Sequence, residues 1–327
     1  MKILVTGSAG HLGEALMRTL RQAGQKVLGI DLKPSPFTDL VGSIGDRALV
    51  RECMADVGQV IHTATLHKPH GATHAYQDFI DTNITGTLNL LEEAASRKLG
   101  AFVFTSTTSV FGSALIPPAG EPAAWITEEV VPVPKNIYGV TKLAAENLCE
   151  LFARRHRLPA VVLRTSRFFP EADDDPQMRS AFAPDNAQAN ELLYRRVDIG
   201  DVVGAHLLAL DAAPRLGFGR YIVSSTTPFE PSDLAEIRQH ADRVVRARFP
   251  TCAALYAARS WQLFEQIDRV YVNTRAREAL GWQPRYDFQQ VLDSLRTGSD
   301  IRSPLAREVG SKGYHDAVFS DGPYPVM

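Results

Sequence analysis

A glycine-rich turn at its very start restricts this chain to few folds. Residues 6–13 read TGSAGHLG, between an apolar strand-like stretch, KILVT, and a helix-like one, HLGEALMRTLRQAG. Glycine suits a turn whose dihedrals other residues avoid. It also lets backbone N–H groups approach a ligand at a helix N-terminus, where the dipole favours phosphate. The spacing is Gly-x-x-Gly-x-x-Gly, not the Gly-x-Gly-x-x-Gly of the common dinucleotide fingerprint. Its place in the first strand-turn-helix unit still predicts a diphosphate cradle formed by Gly7, Gly10, His11, Leu12 and Gly13.

Strand-like and helix-like segments then alternate: KVLGID, ALVRECMADV, QVIHTAT, the long helix from AYQDFIDTNITG to EEAASRKL, AFVFTST, YGVTKLAAENLCELFARRH and PAVVLRT. Such alternation predicts an α/β protein, a Rossmann-type doubly wound parallel sheet with right-handed crossovers. The regularity weakens past about residue 165, where SRFFPEADDDPQMRSAFAPDNAQANE reads as a long loop with one short helix. We therefore expect a dinucleotide-binding domain over 1–165 and a smaller, interleaved substrate-binding region over 166–327, with 191–225 returning to the sheet. In the C-terminal part PSDLAEIRQHADRVVRARF reads as a helix with Ser232 as N-cap, and TRAREALGWQP as a short helix ended by Gly281. The tail 297–327 is rich in Gly, Pro and Ser yet carries Tyr314, His315, Phe319 and Tyr324, so it is expected to pack on its own subunit or a neighbour.

Composition excludes several classes. A net charge of −2 gives no general pull toward nucleic acid or an anionic membrane. No stretch is long and apolar enough to span a bilayer, and the N-terminus enters a strand at once, without the pattern of a signal peptide. Cys53, Cys149 and Cys252 are an odd, widely spaced set, which argues against a disulfide framework and for a reducing, cytoplasmic location.

Asp31 closes the second strand 18 residues beyond Gly13, near the interval of about 20 at which an acid meets the adenosine ribose. A carboxylate there accepts from a 2′-hydroxyl and repels a 2′-phosphate, so NAD is favoured over NADP, although nearby Lys33 leaves NADP open. Tyr138 and Lys142, in YGVTK, share one helix face. Together TGSAGHLG, HTAT, DTNITGT, FTSTTSVFG, YGVTK, LRTSRFFP, DIGDVVGAH and LGWQP resemble, over nearly the whole chain, the extended short-chain dehydrogenase/reductase family. That is the branch of NAD-dependent nucleotide-sugar epimerases and dehydratases.

The resemblance implies a catalytic triad. Tyr138 is the acid–base and Lys142 the cation that favours its phenolate and bonds the nicotinamide ribose. Thr107 hydrogen-bonds the reacting oxygen, with Ser106 and Thr108 as near alternatives. Ala64 is expected against the cofactor, as is Ser106; Asn83 and Arg164 are expected to be structural. The resemblance also implies a homodimer built on the helices that carry Asn83 and Tyr138. No acid follows Thr107, which argues against dehydratase chemistry. Arg167 stands where nucleotide-sugar enzymes often have Asn, and Tyr194 where they have Arg, which puts a nucleotide-sugar substrate in doubt. His67, Thr108, Arg167 and Arg196 are the candidate substrate contacts. His67 and His70 lack a nearby acid or cysteine, so no metal site is expected. The activity implied is reversible, NAD-dependent hydride transfer at a secondary alcohol or ketone of a sugar-like small molecule. A 4-epimerase with tightly held NAD is the alternative, and a non-catalytic dinucleotide-binding redox sensor a third reading.

Overall fold

The computed structural model describes residues 1–173, 175–313 and 319. Asp174, of the acidic loop, and Tyr314, His315 and Tyr324, of the tail, lie outside the described residues. The strands are β1 (Lys2–Thr6), β2 (Val27–Asp31), β3 (Leu40–Val41), β4 (Val57–His62), β5 (Ala101–Thr107), β6 (Ala124–Ile126), β7 (Ala160–Thr165), β8 (Phe218–Val223) and β9 (Arg269–Tyr271). Seven of them form one sheet in the order β3-β2-β1-β4-β5-β7-β8, and every pairing is parallel. Leu4, Val5, Val60, Ile61, Val103, Val161 and Leu163 are fully buried. This is the double-sided burial that makes parallel strands read as unbroken apolar runs.

The winding reverses between β1 and β4, so the carboxyl ends of those strands diverge into a crevice, the usual ligand site of an open α/β sheet. The helix His11–Gln22 leaves β1 on one face; the helix Ile137–His156 covers the other. A second core gathers Leu193, ahead of β8, with Phe229, Ile237, Val245, Tyr256 and Phe288 from the segments that follow it. Above it β6 and β9 pair in parallel, two three-residue strands far apart in the chain.

Three local features differ from the sequence reading. The long helix is not uniform: Ile80–Thr85 is π-helical between the α-helical Tyr76–Phe79 and Gly86–Ser96, a device frequent at functional sites. The segment after β7 holds two helices, Pro176–Ala181 and Pro184–Glu191, each with proline in its first turn. Ser232 is not the N-cap of the helix Leu234–Arg248: a 3₁₀ turn, Pro231–Asp233, precedes it, and the Asp233 carboxylate accepts from Glu230 N at 2.7 Å. That helix also kinks at His240.

One buried network ties the helix Ile137–His156 to the sheet. Glu146, with no exposed surface, accepts from Ser106 Oγ at 2.6 Å, from Arg164 at 2.8 Å and from Arg220 at 3.2 Å. It thereby joins β5, β7 and β8. Removing one member of such a network leaves buried charge uncompensated, at about 3–5 kcal/mol. Glu146→Leu should lower the free energy of unfolding in urea by roughly that amount. A loss below about 1 kcal/mol would show that the network contributes no more than a surface ion pair.

Candidate active site

The glycine loop begins with a close backbone approach. Gly7 has φ of 73°, and a Cβ on it would lie 2.8 Å from Ala64 N. At Gly13 a Cβ would lie 1.9 Å from Gly7 O. Any side chain at either position forces the loop off β4 or off its own helix. Gly10 caps the helix His11–Gln22 without a side-chain hydrogen bond, so the first-turn N–H groups face the crevice. Asp31 Oδ2 accepts from Ala9 N at 3.0 Å and Oδ1 from Lys33 N at 2.9 Å, which fixes the carboxylate at the rim of the loop. These groups fit a dinucleotide: donors for a diphosphate, an acid for a ribose, and no side chain in the way.

They open onto a cleft of about 860 Å³ that runs from Asp31, past Ala64 and Tyr138, to Arg195 and Tyr271. Asn83, in the π-helical turn, clamps the loop after β4. Its side chain accepts from Leu66 N at 2.8 Å and Thr65 Oγ1 at 2.8 Å, and donates to Leu66 O at 3.1 Å and Thr141 Oγ1 at 3.0 Å. His62 is buried between Thr6 Oγ1, 2.7 Å away, and Thr87 Oγ1, 2.9 Å away, and burial holds it neutral.

Tyr138 and Thr107 come together on the cleft wall. Asn136 Oδ1 accepts from Gly139 N at 3.0 Å to start the helix, and a Cβ on Gly139 would lie 3.0 Å from Ser109 O. The helix therefore abuts the turn after β5, and Tyr138 faces the end of that strand. Burial pushes the phenol up to about 12, against a hydrogen bond with Thr107. Thr107 Oγ1 also accepts from Ser109 N at 3.1 Å. Thr108 borders the cleft beside it.

Lys142 lies one turn along the helix from Tyr138. Its ammonium donates to Thr105 O at 2.6 Å and sits 4.0 Å from the centre of the Phe104 ring, behind the cleft lining. Burial lowers it to about 7, with Glu146 and Cys149 opposing. Ser106 borders the cleft, but its hydroxyl is committed to Glu146.

At the far end, His67 packs 5.7 Å from the Tyr138 ring and edge-on to Phe169, and burial lowers its imidazole to about 3. Arg167 lines the cleft, bonded to Glu171 O and Ala172 O at 2.9 Å and to Asp173 at 3.3 Å. Arg196 does not line it: its guanidinium is held by Glu191 at 2.6 Å and Phe169 O at 2.9 Å, and borders a second cavity instead. The neighbouring Arg195 has the cleft-facing place. Arg269 and Tyr271, on β9, complete this wall. Sequence reading missed both, because nothing in so short a strand announces its pairing with β6.

A parallel sheet with a diphosphate-shaped loop at its switch point and a tyrosine and threonine on the cleft wall defines a dinucleotide-dependent enzyme class. Residues 3–224 match the NAD dependent epimerase/dehydratase family, and the chain belongs to it. It is 32% identical over 169 residues to an uncharacterized protein, y4nG, of Sinorhizobium fredii, covering 49% of this chain and 39% of that one. It is 27% identical to the UDP-glucose 4-epimerase of Azospirillum brasilense, over 95% of each. Among solved structures, MoeE5 in complex with UDP-glucose and NAD superimposes with a TM-score of 0.64 at 21% identity, covering 94% of this chain and 99% of that one.

Asp31 makes the cofactor preference testable. Asp31→Ala should weaken NAD binding by about tenfold or more and narrow its advantage over NADP, read by quenching of intrinsic fluorescence. An unchanged ratio of the two dissociation constants would remove Asp31 from the ribose site.

Proposed function

We propose that the protein is an NAD-dependent oxidoreductase that transfers hydride reversibly at a secondary alcohol or ketone of a sugar-like substrate. The observation that carries this reading is the pairing of Tyr138 with Thr107 on the wall of the cleft that begins at the glycine loop. NAD, when bound, supplies the hydride acceptor. Thr107 orients the reacting oxygen by hydrogen bonding, and Tyr138 exchanges the proton with it. Burial keeps the phenol protonated at neutral pH, which suits proton donation to a ketone. Oxidation needs the phenolate, and the ammonium of Lys142, four residues along the same helix, is the charge that favours it once directed into the cleft.

Arg195 and Arg269 are the anchors we assign to the substrate. Each lines the cleft and has a buried Nε with no hydrogen-bond partner among the described residues. His67, Thr108 and Arg167 stand around the same space. The match to a UDP-glucose 4-epimerase along 95% of both chains supports the second reading, a nucleotide-sugar 4-epimerase using the same three residues. The assembly we propose is a homodimer: Tyr76, Ile80, Val140 and Leu151 leave an apolar, exposed stripe on the two helices expected to pair. Three free, buried cysteines suit a reducing compartment, and we place the protein in the cytoplasm.

Tyr138→Phe separates enzyme from scaffold. It should lower turnover by roughly 10²–10⁴ while NAD still binds. Unchanged turnover would exclude Tyr138 as the acid–base. Across a panel of nucleotide sugars, free sugars and sugar acids, a dehydrogenase forms NADH in proportion to product; an epimerase converts substrate with no net NADH.

A further inference from the structure

His11 opens the helix behind the glycine loop, and only 8% of it is exposed. Its ring stacks on Phe168, centres 5.9 Å apart at 11°, and lies 5.6 Å from Phe169. Neither Nδ1 nor Nε2 has a hydrogen-bond partner among the described residues. Buried polar atoms are almost always paired, and an imidazole with two orphaned nitrogens needs an explanation. The ring borders both the main cleft and the second cavity, of about 480 Å³, that also touches Arg196, Ile199 and Ser311. It stands directly after Gly10, on the helix turn whose N–H groups face the diphosphate cradle.

We propose that His11 is a side-chain donor to the diphosphate of the bound dinucleotide, adding an imidazole N–H to the backbone donors of the loop, and that it couples dinucleotide binding to proton uptake. The proposal rests on the reading of the cleft as a dinucleotide site.

The charges around the ring set the sign. Burial holds the imidazole neutral, lowered to about 4, with Glu171 and Glu14 opposing and Lys312 and Arg196 assisting. Glu14 is on the same helix, Glu171 follows β7, Arg196 precedes the helix Ile199–Leu216, and Lys312 comes from the C-terminal segment. His67, from the loop after β4, is within electrostatic reach as well. Glu14 pairs with Arg18 at 2.8 Å and with Lys312 at 2.5 Å; Glu171 accepts from Ser311 at 2.6 Å through Oε1, while its Oε2 has no partner among the described residues. A neutral imidazole has one N–H to give. A diphosphate against it favours the imidazolium and raises its pKa. A group whose pKa rises on binding takes up a proton, so binding tightens as pH falls below neutrality and levels off near the unliganded value of about 4.

Calorimetric titration of NAD into the full chain, in two buffers of different ionisation enthalpy between about pH 5 and pH 7, reads affinity and proton uptake together. The wild type should take up a fraction of a proton per NAD and bind more tightly at the lower pH. His11→Phe should bind NAD roughly tenfold more weakly at neutral pH and lose the ring's part of the pH slope. His11→Gln keeps an N–H that cannot titrate; it should retain the neutral-pH affinity and lose the slope. Lys142 also titrates near neutrality, but in all three proteins, so their differences isolate His11. Equal proton uptake in wild type and His11→Gln, or an undiminished NAD affinity in His11→Phe, overturns the proposal and leaves the cofactor site standing. Absence of NAD binding in all three overturns the reading of the cleft and the proposal with it.

Discussion

The approach of Gly7 to Ala64 is the contact on which the rest of the site depends. Two backbone segments meet there at a distance that leaves no room for a Cβ, across the point where the sheet reverses its winding. Because the loop after β1 lies against the loop after β4, one crevice carries both the diphosphate cradle and the Asn83-clamped segment that leads to His67. Thr6 serves both sides, bonding His62 through its hydroxyl and accepting from Ala64 N at 3.2 Å. A side chain at position 7 would separate the two loops, and the ends of the cleft would lose their register with it.

Burial, more than pairing, sets the protonation states along this cleft. His62, His67, His11 and Lys142 are all shifted toward neutrality by desolvation, and Tyr138 is held protonated by the same cause. Charge is kept only where it is bonded on several sides, as in the Glu146 network. Desolvation of the groups around Tyr138 keeps His67 neutral beside the phenol. The Lys142 ammonium is held on the Thr105 carbonyl and over the Phe104 ring.

Much of this was legible in the residues. The parallel sheet followed from apolar runs separated by amphipathic helices, and the glycine loop from three glycines between the first strand and helix. The pairing of Tyr138 with Thr107 was implied by the family resemblance: Thr107 closes β5, and Tyr138 opens the helix Ile137–His156. What was not legible depends on contacts distant in sequence. Arg269 and Tyr271 reach the cleft through a three-residue pairing of β6 with β9, too short for period or propensity to reveal. The direction of Lys142 depends on a carbonyl and an aromatic face on β5, and the choice between Arg195 and Arg196 on which of two adjacent residues Glu191 and Phe169 O hold inward. A one-residue alternation at the end of a loop is beyond what spacing can fix.

The arrangement of arginines at the substrate end bears on what selects the substrate. Arg167 and Arg195 both meet Asp173, Arg195 and Arg196 both meet Glu191, and Arg269 meets Asp268. Burial alone would push the Glu191 carboxyl up, but Arg196, Arg195 and Arg167 hold it well below the usual carboxylate range. Four guanidinium groups thus share three carboxylates within the wall. On the proposed reading, a substrate would meet a set of N–H donors at fixed angles, because guanidinium groups pinned by carboxylates do not swing to follow it. Discrimination then depends on where the substrate's oxygens lie, and a hydroxyl of the wrong configuration leaves a buried donor unpaired. A site built to bond a substrate hydroxyl rejects an analogue lacking it far more strongly than an apolar pocket rejects a missing methylene, and on the proposed reading a wall of pinned donors would give a sugar-like ring that kind of scrutiny.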